Sequence, residues 1–262
     1  MLIIGEKLNS TIPQVRKAIK EKDVAFVQDL AKRQTEAGAD LLDVNTAMED
    51  EVNDMKWIVE TIQQMVDTPL CIDSTNPKAI EMGLKTAQGR VMINSISMEK
   101  ARIEGILPIA LDAKCELVAL TTDDSGIPKT VDERLAITGR LVDVLEKNDF
   151  PLEKLYVDPL VLPLAVSNDN ALIFYQSLTE IKERYGVKTI SGLSNVSHSL
   201  PQRRLINRYF LANCMNLGMD AAILDPLDSK IMTAIMVTKL LTNKDRFARN
   251  FLKSYRAGKL ED

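Results

Sequence analysis

The chain has 262 residues, which suits one barrel-sized domain or two small ones. Hydrophobic residues make up 45% and charged residues 27%, an ordinary globular balance with ample material for a core. A formal net charge of −4 argues against broad nucleic-acid binding, which needs a basic face, and no apolar run reaches membrane-spanning length.

Leu2–Gly5 is the first of eight short apolar segments, and a run with helical spacing follows over Asp23–Ala37. Asp40–Asn45 is the second segment, and Lys56–Val66 again has the helical period. Leu70–Asp73 comes next and leads to Asn76-Pro77, a capping side chain ahead of a proline that tolerates the first helical turn. Val91–Ser95 and Glu116–Thr121 are the fourth and fifth segments. Thr122–Lys129 is then the longest clear loop after a strand and could be a lid. Thr130 with Glu133 forms a capping-box pattern before the helical run Arg134–Lys147. Lys154–Asp158 precedes a second Asp-Pro pair, Asp158-Pro159, and the helical run Ala171–Tyr185. Lys188–Leu193 and Asp220–Leu224 complete the set, the last running into Asp225-Pro226, a third capping pair.

Strand then helix, eight times, is the pattern of parallel β/α units. Strands buried on both faces explain runs such as Leu117–Leu120, where no polar residue alternates. A doubly wound sheet competes, but an eightfold count favours closure into a single (β/α)₈ barrel, an α/β fold. No linker, charge block or low-complexity stretch divides the chain, so one domain over residues 1–262 is expected. Cys71, Cys115 and Cys214 are far apart, no C-x-x-C occurs, and His198 is the only histidine. A Cys/His metal site needs closely spaced ligands, so no bound metal is expected, and the thiols read as buried and reduced. The opening residues run into Gly5-Glu6-Lys7 rather than a cleavable signal, which makes the cytoplasm the expected compartment.

A barrel presents its strand ends to a shared cavity. Here those ends carry Asp43 and Asn45, Asp73 to Asn76, Asn94-Ser95, Asp158, Ser194-Asn195 and Asp225, with no Lys or Arg at the tips. Short neutral or anionic hydrogen-bonding groups suit a planar, donor-rich heterocycle such as a pterin better than a phosphate. A carboxylate can accept from the pterin's N–H and amino group together, and an amide such as Asn94 matches the mixed remaining edge. Plainer roles compete. Asp158 and Asp225 could be helix caps only, Asn94-Ser95 could bond loop backbone, and Asn195 could form a turn. Gly192 could mark a tight strand exit or a close approach of ligand to backbone.

In order along the chain, Gly5 to Asn9, Leu42 to Asn45, Cys71 to Asn76, Met92 to Ser95, Gly126 to Lys129, Tyr156 to Leu160, Gly192 to Ser197 and Arg204 to Leu211 resemble the methyltetrahydrofolate–corrinoid protein methyltransferases. Each block is weak alone, but together they run from residue 2 to about 225. The resemblance implies a (β/α)₈ barrel, with Asp73, Asn94 and Asp158 on the pterin, and Gly192 and Ser194 beside it. It implies that Asn195 reaches N5, where the methyl group is carried. Arg203 matches a position near the site, and Arg204 and His198 depart from the family pattern. Arg203 and Arg204 are candidate contacts for the partner or the folate tail, although a solvated helix start competes. The implied reaction passes a methyl group between N5 of tetrahydrofolate and cobalt, in a direction the sequence leaves open. The corrinoid (cobalamin) is expected to arrive on another protein, and the chain to be a homodimer. The alternatives are a dihydropteroate synthase-like enzyme and a non-catalytic folate-binding protein. The first needs cations for a pyrophosphate leaving group, whereas the last-strand region, Leu224 to Asp228, is acidic.

Overall fold

The computed structural model describes residues 1–261; Asp262, the final residue of the expected domain, lies outside the described residues. Eight strands alternate with helices: β1 (Leu2–Asn9), α1 (Pro13–Glu21), α2 (Val24–Glu36), β2 (Leu41–Asn45), α3 (Glu51–Gln63), β3 (Leu70–Asp73), α4 (Pro77–Thr86), β4 (Val91–Met98), α5 (Lys100–Ala113) and β5 (Glu116–Asp123). They continue through α6 (Val131–Lys147), β6 (Leu155–Asp158), α7 (Asn170–Tyr185), β7 (Lys188–Thr189), α8 (Arg203–Asn216), β8 (Ala221–Leu224), α9 (Ser229–Leu241) and α10 (Arg249–Arg256). Every ladder is parallel, in the order β7-β6-β5-β4-β3-β2-β1-β8.

The ring closes between β7 and β8, and that seam is irregular. Asp220 N–H donates to the Thr189 carbonyl at 3.1 Å, Ile223 N–H to the Ser191 carbonyl at 2.9 Å, and Gly192 bridges Ile223. The expected seventh segment reached Leu193, but the ladder to β6 ends at Thr189 and the chain enters a 3₁₀ turn over Leu193–Asn195. Conversely, β1 and β5 run further than their apolar segments, to Asn9 and Asp123, because their polar ends still pair with neighbours.

Side chains alternate along a strand, so every second residue points into the barrel. Ile4, Leu41, Cys71, Met92, Val118, Tyr156, Ile190 and Ala221, one from each strand or its extension, pack into an apolar plug. Outward residues of the same strands meet the helices. Leu42, Val44, Ile72 and Ile93 join Ile58, Ile62 and Leu141 in the largest core cluster, and Phe174, Leu211 and Ile231 build a second around α7 to α9.

The helix starts follow the sequence in two cases and not in two others. Asn76 accepts from Lys78 N–H at 3.1 Å, and Thr130 with Glu133 forms the full capping box. Asp158 caps no helix, because α7 begins only at Asn170, and Asp225 yields the cap of α9 to Asp228, which accepts from Lys230 and Ile231 N–H. Both earlier aspartates instead close turns at their own strand ends, onto Leu160 N–H at 2.8 Å and Leu227 N–H at 3.0 Å. The Thr122–Lys129 loop is a tethered hairpin rather than a cover for the barrel. Asp123 pairs with Gly126 and is bonded by Arg140, and Thr122 donates to the Gly126 carbonyl at 3.0 Å. Cys71 and Cys214 are buried as expected, whereas Cys115 is half-buried at the amino end of β5.

Candidate active site

Two residues beyond each plug side chain lies the next inward position, one layer nearer the carboxyl ends. That layer reads Glu6, Asp43, Asp73, Asn94, Leu120, Asp158, Gly192 and Ile223. Above it opens a cavity of about 700 Å³. Asp73, Asn94, Gly192, Ser194, Asn195, Arg203 and Arg204 line it, together with Glu6, Asp43, Asn207 and Asp225. Of the residues that the family resemblance puts on or beside the pterin, Asp158 alone does not line the open volume. It sits buried behind Gly192, whose N–H it accepts at 3.3 Å.

Two side-chain pairs make the wall on β2 to β4. Asn94 donates to Asp43 at 3.2 Å, and Asn45 donates to Asp73 at 3.1 Å. The opposite wall is the seam turn. Ser194 Oγ donates to Glu6 at 3.0 Å, Arg203 donates to the Ser194 carbonyl at 2.7 Å, and Arg203 Nε reaches Ser197 Oγ at 3.2 Å. Arg203 is therefore committed to holding its own turn, which was not legible as a role in the sequence. Arg204 is the outward one, 82% exposed and only loosely paired with Asp228 at 3.7 Å. Asn195 is exposed at the mouth, as is His198, and a Cβ on Gly192 would lie 3.7 Å from the Asn195 amide nitrogen. Gly192 itself has φ −72°, so its backbone does not require glycine. What the missing side chain provides is space beside Asn195. Asp225 forms an ion pair with Lys7 at 3.1 Å across the β1–β8 edge.

In the sequence Glu6 appears only within a motif, and Asp43 appears among the polar strand ends without an assigned role. The signal that finds them is the two-residue step from Ile4 and Leu41.

Burial sets the electrostatics. Removing a carboxylate from water disfavours its charge. Asp43 is pushed well above the usual carboxylate range, first by burial and then by Asp73. Asp73 rises from 3.8 to about 6 through burial, restrained by the Asn45 hydrogen bond and the field of Arg102. Asp158 also rises to about 6, restrained by the N–H groups of Leu160 and Gly192 and by Arg134. Arg134 is fully buried on α6, and its guanidinium has no hydrogen-bond partner among the described residues. Asp73 and Asp158, titrating near about 6, are thus ionised at neutral pH but held at a cost, a state that binds N–H donors well, while Asp43, beside Asp73, is the carboxyl most strongly biased toward its proton. Among the described residues, no group of three His, Cys, Asp or Glu side chains is arranged to hold a metal ion.

Residues 5–225 match the family described as pterin binding enzyme. The chain is 40% identical to a methylcorrinoid:tetrahydrofolate methyltransferase of Eubacterium limosum, over 99% of this chain and 98% of that one. It is 30% identical to a methionine synthase of Mycobacterium leprae over 85% of this chain, a stretch that makes up 20% of the methionine synthase. A dihydropteroate synthase of Xanthomonas albilineans, solved in complex with 7,8-dihydropteroate, superposes with a TM-score of 0.72 at 18% identity. That likeness covers 92% of this chain and 93% of the other, and it concerns the fold.

The raised carboxylate gives a stability prediction with a definite sign. Unfolded Asp73 loses its proton near 3.8 and folded Asp73 only near about 6, so the folded chain binds that proton more tightly. Stability therefore falls as pH rises through this window and stays lower above it. Asp73→Asn keeps an acceptor for Asn45 and removes the penalty, so it should gain on the order of 1–2 kcal/mol at pH 7.5. The gain should vanish near pH 4 in urea unfolding. A loss of stability at pH 7.5, or a difference independent of pH, contradicts the electrostatic account.

Proposed function

The chain belongs to the pterin-binding enzyme family, and on that premise we propose that it is a methyltransferase carrying a methyl group from the cobalt of a corrinoid protein to N5 of tetrahydrofolate. The observation that carries this reading is one of coincidence. A chain similar from end to end to a methylcorrinoid:tetrahydrofolate methyltransferase gathers Asp73, Asn94, Ser194 and Asn195 around one cavity. The name of that relative also supports the direction, from methylcorrinoid to folate. A pyrophosphate-releasing reaction fits the cavity less well, because Lys7 is paired with Asp225 and Arg203 is bound to its own turn.

In this reading the pterin lies over the apolar plug, with its N–H and amino donors toward the buried carboxylates. Asp73, ionised at neutral pH, accepts from it and Asn94 completes the edge, while Asp158, buried behind Gly192, is assigned the donor that reaches deepest. Charge-assisted hydrogen bonds of this kind contribute about 1.5–3 kcal/mol each. N5 then faces the seam turn, where Asn195 is placed to accept from a protonated nitrogen or to donate to a neutral one by turning its amide. When the N5 lone pair attacks the methyl carbon, positive charge grows on nitrogen, and a preset amide oxygen stabilises it without reorganisation. The open mouth leaves room for the corrin to approach from outside. We place the corrinoid on a separate protein that docks on this face, with the exposed Arg204 at its edge.

A homodimer belongs to the same proposal. Leu172 on α7, with Leu205 and Tyr209 on α8, are exposed large side chains on neighbouring helices, a surface that a second copy would cover. Sedimentation should show a species near twice 29.2 kDa; a monomer at all concentrations would remove the claim.

Asn195→Ala tests the chemistry. The benefit of the amide belongs mainly to the transition state, so single-turnover transfer from methylcobalamin to tetrahydrofolate should slow by about 10²–10³. Tetrahydrofolate affinity should fall much less. A near-normal rate at saturating folate, with circular dichroism showing an intact fold, contradicts the assigned role.

A further inference from the structure

Methyl transfer leaves a proton to be accounted for. N5 of tetrahydrofolate is a secondary amine with one hydrogen, and in methyltetrahydrofolate it is tertiary with none. As the N5–C bond forms from the nitrogen lone pair, the C–Co bond breaks with its electrons staying on cobalt, which goes from Co(III) to Co(I). The product nitrogen then carries both methyl and hydrogen, with a positive charge, until the N5–H bond gives its proton to a base. Asn195 can stabilise that charge, but an amide gains or loses no proton overall near neutral pH. The cavity needs a titratable neighbour.

Resting on the methyl-transfer reading above, we propose that Glu6 is the acid–base residue that exchanges the N5 proton. Of the carboxylates lining the cavity, each of the others is engaged elsewhere. Asp225 is paired with Lys7, and Asp228 caps α9. Asp43 and Asp73 stand on the β2 and β3 wall, bonded by Asn94 and Asn45. Glu6 alone reaches across β8 to the turn that carries Asn195, and Ser194 Oγ holds its two oxygens at 3.0 and 3.3 Å. Ser194 is fixed in turn by Arg203 on its carbonyl. The carboxyl of Glu6 is thus held beside the residue assigned to N5, on the same side of the cavity.

The surroundings suit a proton carrier. Burial raises Glu6 above the usual carboxylate range, and Asp225 adds to this; the Ser194 hydroxyl, Lys7 and Arg203 oppose it. Asp43 is the remaining charged neighbour, facing Glu6 from β2. A base whose affinity for protons is lifted toward neutrality takes a proton from an ammonium readily and returns it as readily. The two directions of transfer then respond oppositely to pH. Transfer onto N5 needs Glu6 ionised and slows as pH falls through its raised value. Transfer from methyltetrahydrofolate to Co(I) needs Glu6 protonated and slows as pH rises through it.

Single-turnover rates in both directions, with free methylcobalamin and cob(I)alamin as the probes, should be measured against pH for the full chain and for Glu6→Gln and Glu6→Asp. Gln retains an acceptor for Ser194, so tetrahydrofolate affinity should stay within about threefold while both rates drop by on the order of 10² or more. Glu6→Gln should also lose the opposing pH limbs, and Glu6→Asp should restore them at an intermediate rate. Infrared difference spectra should show a carboxyl band in the unchanged protein, titrating above the ordinary glutamate value, that Glu6→Gln lacks. A Glu6→Gln rate within about threefold of the unchanged protein, or one keeping both limbs, overturns the assignment while leaving methyl transfer in place. If the unchanged protein moves no methyl group, both readings fall. Retained folate affinity in Glu6→Gln separates lost chemistry from a lost fold.

Discussion

The mouth of this barrel rests on a floor of eight side chains, one from each strand or its extension, that fill the interior with Ile4, Leu41, Cys71, Met92, Val118, Tyr156, Ile190 and Ala221. Because inward positions recur every second residue, the floor dictates which residues come next. In five of the eight strands that next residue is a carboxylate or an amide: Glu6, Asp43, Asp73, Asn94 and Asp158. Slip one strand by a single residue and an outward-facing side chain such as Val44 or Ile72 would turn into the cavity while a carboxylate turned into the helix layer. The register of the sheet and the chemistry of the site are therefore a single constraint.

Placing several carboxylates directly above an apolar layer is expensive, and the fold supports each one differently. Asp43 and Asp73 rely on side-chain amides from neighbouring strands, Glu6 on a serine hydroxyl across the seam, and Asp158 on two backbone N–H groups. Arg134, buried without a hydrogen-bond partner among the described residues, adds a positive field behind Asp158. A ligand rich in N–H donors relieves this arrangement, since it restores what water would have provided. In the proposed reading, selectivity for a pterin follows from buried carboxylate and amide acceptors, not from cations.

Much of this is legible in the sequence. The eight apolar segments coincide with the eight strands, the seventh running on past its strand, and Asp73 and Asn94 stand out at or next to the ends of theirs. Ranking the strand ends by their polar residues misses Glu6, which lies beyond the apolar segment Leu2–Gly5, and names Asp43 at a strand end without giving it a role in the site. The alternation that exposes them becomes visible only once one inward residue per strand is known. The proline that follows Asp158 and Asp225 suggests a helix cap at each. Proline after aspartate fits a tight turn as well as a helix start, and only the distance to the next helix decides. The role of Arg203 depends on a turn whose path crosses the irregular β7–β8 seam, and no local pattern encodes that path.

The seam brings the two halves of the account together. The β1–β2 and β4–β5 ladders shift register yet stay paired, whereas here the chain leaves the β6 ladder after Thr189, keeps one bridge at Gly192, and turns through Ser194 and Asn195, so that Asn195 is exposed at the cavity mouth instead of packed in the wall. The central claim is that a pterin bound by the β3, β4 and β6 residues brings N5 to this turn. A crystal structure of the protein with tetrahydrofolate bound tests it most directly. The account predicts the pterin ring over the apolar floor, its donor edge on the buried carboxylates and N5 within hydrogen-bonding distance of the Asn195 amide. A ring bound outside the barrel, or one seated there with N5 turned toward the β3–β4 wall, would contradict it.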